Sequence, residues 1–159
     1  MNLVTGVEST ELFGGTISPA AEHLIAVARN APRDQVAPAL WTAVLTTPDS
    51  LPIYYLLYKF HASLGELERA QEAATKGLHA AARAAALPAD WRTVQAGDAD
   101  FSVPGPARFW LFTLKAMAFI SLRRGERESA AELVDQLRRL DPTDQLGAGV
   151  IESLLRHSA

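Results

Sequence analysis

The sequence predicts an all-α protein of about six to seven helices, arranged as stacked antiparallel helix pairs. A segment occurs twice, over 63–72 and 123–132, with a glycine, three Glu positions and an Ala recurring in register. Each copy follows an apolar helical stretch and opens an Ala-rich amphipathic one, and no stretch has the pattern of a strand. Internal repetition of helix, Gly turn and helix indicates stacked units, which usually present a surface to a partner.

Length and composition narrow the class of protein. With 159 residues, of which 48% are hydrophobic and 21% charged, the chain fits one globular domain. A net charge of −3 argues against a broad nucleic-acid surface, and the absence of cysteine excludes disulfides, thiolate catalysis and Cys-ligated metals. The N-terminus has no basic region followed by a long apolar run, so we expect no secretory signal and predict a cytoplasmic location.

The first elements follow from helix start and stop signals. Residues 1–16 contain glycines without periodicity and are predicted to form an irregular lead-in. A helix is predicted over 19–30, because Ser18 offers a hydroxyl N-cap and a proline occupies the first helical position. A second helix follows over 34–45, where Pro38 is tolerated because it lies within the first turn.

The middle of the chain contains the first copy of the repeated segment. A third helix is predicted over 52–64 and is rich in tyrosine, and a fourth over 67–86 carries small residues along one stripe. Such a stripe lets neighbouring helix axes approach closely. Residues 88–105 then have prolines, glycines and no period, which predicts a long loop.

The last elements surround the second copy. The fifth helix, over 106–124, is apolar on most sides and therefore predicted to be buried, but its apolar stretch is too short to span a membrane. A sixth helix is predicted over 128–140. A final helix over 144–156 would cover the open end of the stack. Its inward residues are expected to be Leu146, Val150, Leu154 and Leu155.

The second copy resembles a tetratricopeptide repeat, a helix–turn–helix unit of 34 residues. Gly125 stands at the small-residue turn, Ala130 at the point where the second helix crosses the first, and Pro142 at the end of the unit. The first copy keeps the turn glycine, Gly65, and the crossing alanine, Ala70. The resemblance implies a right-handed α–α superhelix whose function is to bind proteins.

The resemblance also implies a division of the chain. Residues 17–159 form one domain, with units at about 17–50, 51–87 and 106–142 and a capping helix over 144–157. The first unit departs from the pattern, because it has an alanine where the turn glycine belongs. In build alone, and in no particular residue, the chain also resembles small proteins encoded among bacterial nitrogen-fixation genes.

In this repeat family the first helix of each pair lines a concave groove, which implies a set of partner-binding residues. They are Tyr55, Lys59, Ala62, Lys115, Phe119 and Arg123. Aromatic and cationic side chains together suit an extended or helical peptide of acidic character. The expected function is a protein-interaction adaptor without catalytic activity, cofactor or metal, with no nucleic-acid or membrane partner. A homodimer is left open.

A rival hypothesis is a small helical enzyme or small-ligand-binding protein. Its pocket would lie near His61 and the Tyr54–Tyr58 cluster. The simpler interpretation of His61 is a packed histidine, since no two histidines have metal-ligand spacing. In the long loop, Trp91 and Phe101 either pack onto the stack or form a further contact surface, and packing is expected because exposed aromatics are costly.

Acidic residues offer two other hypotheses. The repeated glutamates, at positions 66, 68 and 72 and again at 126, 128 and 132, could be paired catalytic carboxylates. They are expected instead to complement helix dipoles, because they lie in first turns. Asp98 and Asp100 resemble the start of a calcium loop, but the later residues of that motif are missing.

Overall fold

The computed structural model describes residues 18–157, so the lead-in predicted over 1–16 lies outside the described residues. The described part contains seven α-helices and no strand, which confirms the all-α prediction. The helices are α1 Pro19–Asn30, α2 Arg33–Thr46, α3 Leu51–Ser63, α4 Leu67–Ala85, α5 Pro106–Arg123, α6 Arg127–Leu140 and α7 Ala148–His157.

Each helix packs against the next one in sequence, which gives the pairs α1–α2, α3–α4 and α5–α6, followed by α7. Helices that open successive pairs also contact each other: α3 packs on α5, and α5 packs on α7. These first helices therefore lie side by side along one face of the stack. Within residues 18–157, none of the helices combines the length and apolar character that a membrane crossing requires.

The pairs α3–α4 and α5–α6 turn through the same backbone hinge. Gly65 has φ 75° and Gly125 has φ 80°, in the left-handed region that favours glycine. The N–H of Glu66 donates to the carbonyl of His61 at 2.9 Å, which closes the helix end in a Schellman motif. The repeated segment found in the sequence thus corresponds to a repeated turn.

Small residues set the distance between α3 and α4. A Cβ placed on Gly77 would lie 2.8 Å from the Cβ of Tyr54, which is too close for any side chain. Ala70, Ala74 and Ala81 are fully buried beside it on α4. The stripe of small residues therefore allows the close approach predicted from the sequence.

The end of the stack differs from the prediction. Val150 and Leu154 were expected to face inward, but their side chains are 64% and 43% exposed, so that prediction was wrong. The helix begins at Ala148 and not at residue 144, because Asp144 accepts hydrogen bonds from the backbone N–H groups of Ala148 and Gly149.

Candidate functional site

Charges are sorted unevenly between the helices. Neither α3 nor α5 contains an Asp or Glu, although the chain as a whole has a net charge of −3. Their cations include Lys59, Lys115 and Arg123. The carboxylates of these two pairs lie on the second helices, α4 and α6, and in their hinges. In the part of the chain that the structure describes, the side-by-side packing of α3 and α5 therefore brings together cations whose own helices contain no carboxylate.

The first predicted group on this face is built on Tyr55. The Tyr55 ring is buried, with its centre 5.9 Å from that of Phe112 on α5. Lys59 lies one turn later, and its Nζ donates to the Tyr55 hydroxyl at 2.9 Å and lies 4.8 Å from the ring centre. Tyr55 is therefore the support for an exposed lysine and contributes little exposed surface itself.

Arg123 joins the two helices at the other end of the face. Its Nη1 donates to the carbonyl of Ala62 on α3 at 3.3 Å. Its guanidinium carbon lies 6.0 Å from the ring centre of Phe119, which is 40% exposed. The structure thus brings together three of the residues that the sequence placed in a groove.

Lys115 extends the face toward α7. It lies four residues before Phe119 and eight before Arg123, so the three share one stripe of α5. Its Nζ is 3.5 Å from the point where a Cβ on Gly147 would lie, next to the start of α7. We call the surface formed by Lys59, Lys115, Phe119 and Arg123 the first-helix face.

The loop aromatics lie on the stack. Phe101 is buried, with its ring centre 5.8 Å from that of Trp110, so the packing expectation is confirmed for Phe101. Trp91 is half-buried, and the guanidinium of Arg92 lies 4.3 Å above its ring. Trp91 therefore keeps only part of its ring accessible.

A residue that the sequence analysis missed holds this loop in place. Gln136 on α6 is only 1% exposed, and its amide donates to the carbonyls of Trp91 and Val94, both at 2.9 Å. A single glutamine in an amphipathic helix gives no sequence signal for such a role, because its partners lie more than 40 residues away. The loop is therefore held through its backbone carbonyls as well as by its buried aromatic side chain.

His61, the centre of the rival hypothesis, is buried with both ring nitrogens engaged. The indole N–H of Trp41 donates to Nε2 at 3.0 Å, so the histidine proton lies on Nδ1. Nδ1 then donates to Oε1 of Glu66 at 3.0 Å. Trp41 is a second residue missed from the sequence. The arrangement holds His61 as a structural hydrogen-bonding group.

A cavity of about 330 Å³ opens beside this histidine. Apart from His61 its lining is Arg33, Asp34, Ala37, Pro38, Trp41, Phe60, Leu64, Glu66 and Arg69, which includes no hydroxyl or thiol nucleophile. Tyr54 and Tyr58 do not line it. The Tyr54 hydroxyl donates to the carbonyl of Pro48, and burial raises the pKa of the fully buried Tyr58 phenol. The cavity and the tyrosine cluster are therefore separate features.

The acidic residues have local partners. Glu66 stands at the N-cap of α4, and its side chain makes no cap hydrogen bond but accepts from His61. Asp98 accepts from the N–H of Gln95, and Asp100 accepts from Ser102. The Ser102 hydrogen bonds lower the pKa of the Asp100 carboxyl. Within the described residues, no three His, Asp or Glu side chains are grouped so as to hold a metal ion.

Comparison with known proteins adds one informative match. No family model matches the chain. The chain is 30% identical over 124 residues to an uncharacterized 19.8 kDa protein in the nifW 5′ region of Azotobacter chroococcum mcd 1. The match covers 76% of this chain and 70% of the relative. That relative carries no described activity, so the geometry of the first-helix face remains the basis for proposing a function.

Proposed function

This chain belongs to the same family as the Azotobacter chroococcum protein of the nifW 5′ region, and we propose that it is a non-enzymatic adaptor. In this proposal the first-helix face binds a partner protein of acidic character. One observation carries the proposal: the helices α3 and α5, neither of which contains a carboxylate, present cations and an exposed aromatic ring in a chain that is acidic overall.

Electrostatics explains why this sorting favours binding. On most surfaces, cations are interspersed with carboxylates, and each exposed pair contributes about 0–1 kcal/mol to stability. Lys115 and Arg123 instead lie on a helix without carboxylates, so their field is not cancelled by neighbours on that helix. Phe119 between them supplies the aromatic contact that often anchors a protein interface. A partner with carboxylates beside an apolar residue complements all three.

The arrangement of the helices also supports the proposal. The hinges at Gly65 and Gly125 repeat, and the first helices lie side by side, as in the tetratricopeptide repeats that the sequence resembles. We propose that α1 to α7 form such a superhelix, with the first-helix face on its concave side. We also propose a cytoplasmic location.

A second candidate function is the binding of a small ligand in the cavity beside His61. The observation that favours it is the volume of about 330 Å³, which lies near the lower end of the range for ligand sites. Filling the cavity by Ala37→Leu should abolish small-ligand binding and leave partner capture unchanged. Ligand binding that is unchanged in the Ala37→Leu variant excludes the cavity as the ligand site.

The adaptor proposal is tested by capture of proteins from host cells, compared between two charge-reversed variants. The double variant Lys115→Glu and Arg123→Glu reverses the first-helix face. The matched control Lys76→Glu and Arg139→Glu makes the same changes at exposed positions of the second helices. Because the relative's gene lies in the nifW 5′ region, we propose cells grown under nitrogen-fixing conditions as the source.

The expected result is a protein captured by the wild-type chain and by the control but not by the face variant. Like charges across an interface cost several kcal/mol, so the loss should be nearly complete. Circular dichroism should show equal helicity for all three chains. Capture of the same protein by a folded face variant would falsify the proposed site.

A further inference from the structure

We infer, building on the proposed function, that the segment bound by the first-helix face is an acidic amphipathic α-helix and not an extended peptide. The inference concerns the kind of partner, about which the relative gives no information. It follows from three properties of the first helices: the hydrogen-bonding groups that they lack, the apolar side chains that they expose, and the spacing of their cations.

The first property is the absence of amide side chains. The helices α3, α5 and α7 contain no Asn or Gln, and α3 and α5 contain no carboxylate. The carboxylate of α7, Glu152, is already paired with Arg138 at 2.6 Å. An extended peptide brings one unsatisfied N–H and one C=O for each residue, and its N–H groups would find few acceptors here. A helix satisfies these groups within itself.

The second property is exposed apolar surface on neighbouring first helices. Phe119 is exposed on α5, and Val150 and Leu154 are exposed on α7. Glu152 faces α6 through its ion pair with Arg138. At about 100° per residue, Val150 and Leu154 lie about 160° away from Glu152 around the axis, on the side of α7 that is turned away from α6. Such a surface is suited to the apolar stripe of another helix.

The third property is the spacing of cations along α5. Lys115 and Arg123 are separated by eight residues, or about 12 Å of helix rise, with Phe119 midway between them. A helix packed alongside α5 has the same rise per residue. Carboxylates seven or eight residues apart in such a helix can therefore pair with both cations. An apolar residue three or four positions after the first carboxylate would then contact Phe119. This defines the expected partner sequence.

The test is selection from a displayed library of random 16-residue peptides on the whole wild-type chain. Peptides that also bind the variant Lys115→Glu and Arg123→Glu are removed by counter-selection. We expect the enriched peptides to carry acidic residues seven or eight positions apart with apolar residues at helical spacing between them. Proline introduced at a central polar position should then weaken binding at least about tenfold, because proline breaks a helix interior. Alanine at the same position is the control.

The outcomes separate this inference from the proposed function. Enriched peptides with alternating apolar residues, whose binding tolerates the central proline, would overturn the helical partner and leave an adaptor that binds extended segments. Enriched peptides that are basic or uncharged would overturn the acidic partner. If no peptide depends on Lys115 and Arg123 while cellular capture does, the partner recognises the face through a folded surface and not a single helix, and the inference is wrong. If neither peptide binding nor cellular capture depends on Lys115 and Arg123, the first-helix face is not the binding site.

Discussion

The two hinges have the same backbone and different side chains. In each, the residue after the glycine donates its N–H to a carbonyl five positions earlier, at 2.9 Å for both Glu66 and Glu126. At the first hinge that carbonyl belongs to His61, and at the second it belongs to Ser121. The repeat therefore fixes the path of the chain, while the residue under the hinge is free to differ.

The preceding second helix completes each hinge with one hydrogen-bond donor. At the first hinge the indole of Trp41, from α2, donates to His61. At the second hinge the amide of Gln71, from α4, donates to Ser121 at 3.4 Å and to Glu126 at 3.3 Å. A large aromatic side chain in one junction thus performs the task of a smaller polar one in the other.

The residues at the edges of the two junctions also differ in polarity. Leu64 lines the cavity at the first hinge, and the corresponding position in the second hinge is Arg124. The Arg124 guanidinium bonds Gln71 and lies 4.0 Å from a carboxylate oxygen of Glu126. The first junction is therefore aromatic and borders a cavity, and the second is bridged by polar side chains. Stability should depend on a single side chain much more in the first than in the second.

The largest effect is expected for Trp41→Ala. It removes a large ring from the junction of α2 with α3 and leaves Nε2 of His61 buried without its donor. Large-to-small aromatic changes cost about 3–5 kcal/mol, and an orphaned buried acceptor about 1–3 kcal/mol. Because Trp41 is only half-buried, we expect a total loss near the lower figure, about 3–4 kcal/mol, in the free energy of unfolding measured with urea.

Trp41→Phe separates the two contributions. The ring volume is largely kept, so the expected loss is about 1–2 kcal/mol from the missing donor alone. A loss below about 0.5 kcal/mol, in the range of ordinary surface changes, would mean that the indole hydrogen bond does not stabilise the first hinge.

The next effect should be equal at the two hinges. Gly65→Ala and Gly125→Ala each force a side chain into the left-handed region, at about 1–2 kcal/mol. A Cβ at either glycine meets nothing within 4 Å, so neither substitution overpacks the turn, and the loss comes from backbone strain alone. Urea unfolding should give the two variants the same loss. Unequal losses would show that the side-chain networks alter the backbone hinge.

The features that the sequence predicted are those that depend on neighbours along the chain. The turn glycines, the N-cap at Ser18 and the stripe of small residues on α4 all follow from local patterns. The roles of Trp41 and Gln136 could not be predicted, because each acts on a partner in another helix or loop. Nothing within their own helices marks them.

The candidate face was predicted unevenly for the same reason. The repeat resemblance placed Lys115, Phe119 and Arg123 on one groove-lining helix, and they share one stripe of α5. The same resemblance made Tyr55 a partner-binding residue, but its side chain is buried. Periodicity gives the direction of a side chain from its own helix and not the depth at which neighbouring side chains bury it.

The third prediction concerns pH and again separates the pair α3–α4 from the pair α5–α6. Burial raises the pKa of Tyr58 on α3, and the corresponding position on α5 is Ala118. The folded state thus holds the proton more tightly than the unfolded chain. The stabilisation that the protonated Tyr58 contributes is therefore complete below the ordinary tyrosine pKa near 10. Above that pH the free energy of unfolding falls by up to about 1.4 kcal/mol per pH unit.

Urea unfolding between pH 9 and 11 should therefore show falling stability in the wild-type chain and a shallower fall in Tyr58→Phe. Part of the slope remains, because burial also raises the pKa of Tyr54. Equal slopes in the two chains would mean that Tyr58 is not the source of the alkaline sensitivity.

The smallest effect is expected for Gln71→Ala, the counterpart of the change at Trp41. Gln71 is half-buried, and its loss removes the hydrogen bond from Arg124 and the weak ones to Ser121 and Glu126, at 3.4 and 3.3 Å. The Ser121 hydroxyl thus loses only a weak donor, and Arg124 remains near Glu126. We expect a loss of about 1 kcal/mol in urea unfolding, several-fold below that of Trp41→Ala. If the two losses prove equal, the stability of the first junction depends on its single side chain no more than that of the second does. The two hinges would then differ in the type of side chain and not in how much each side chain stabilises them.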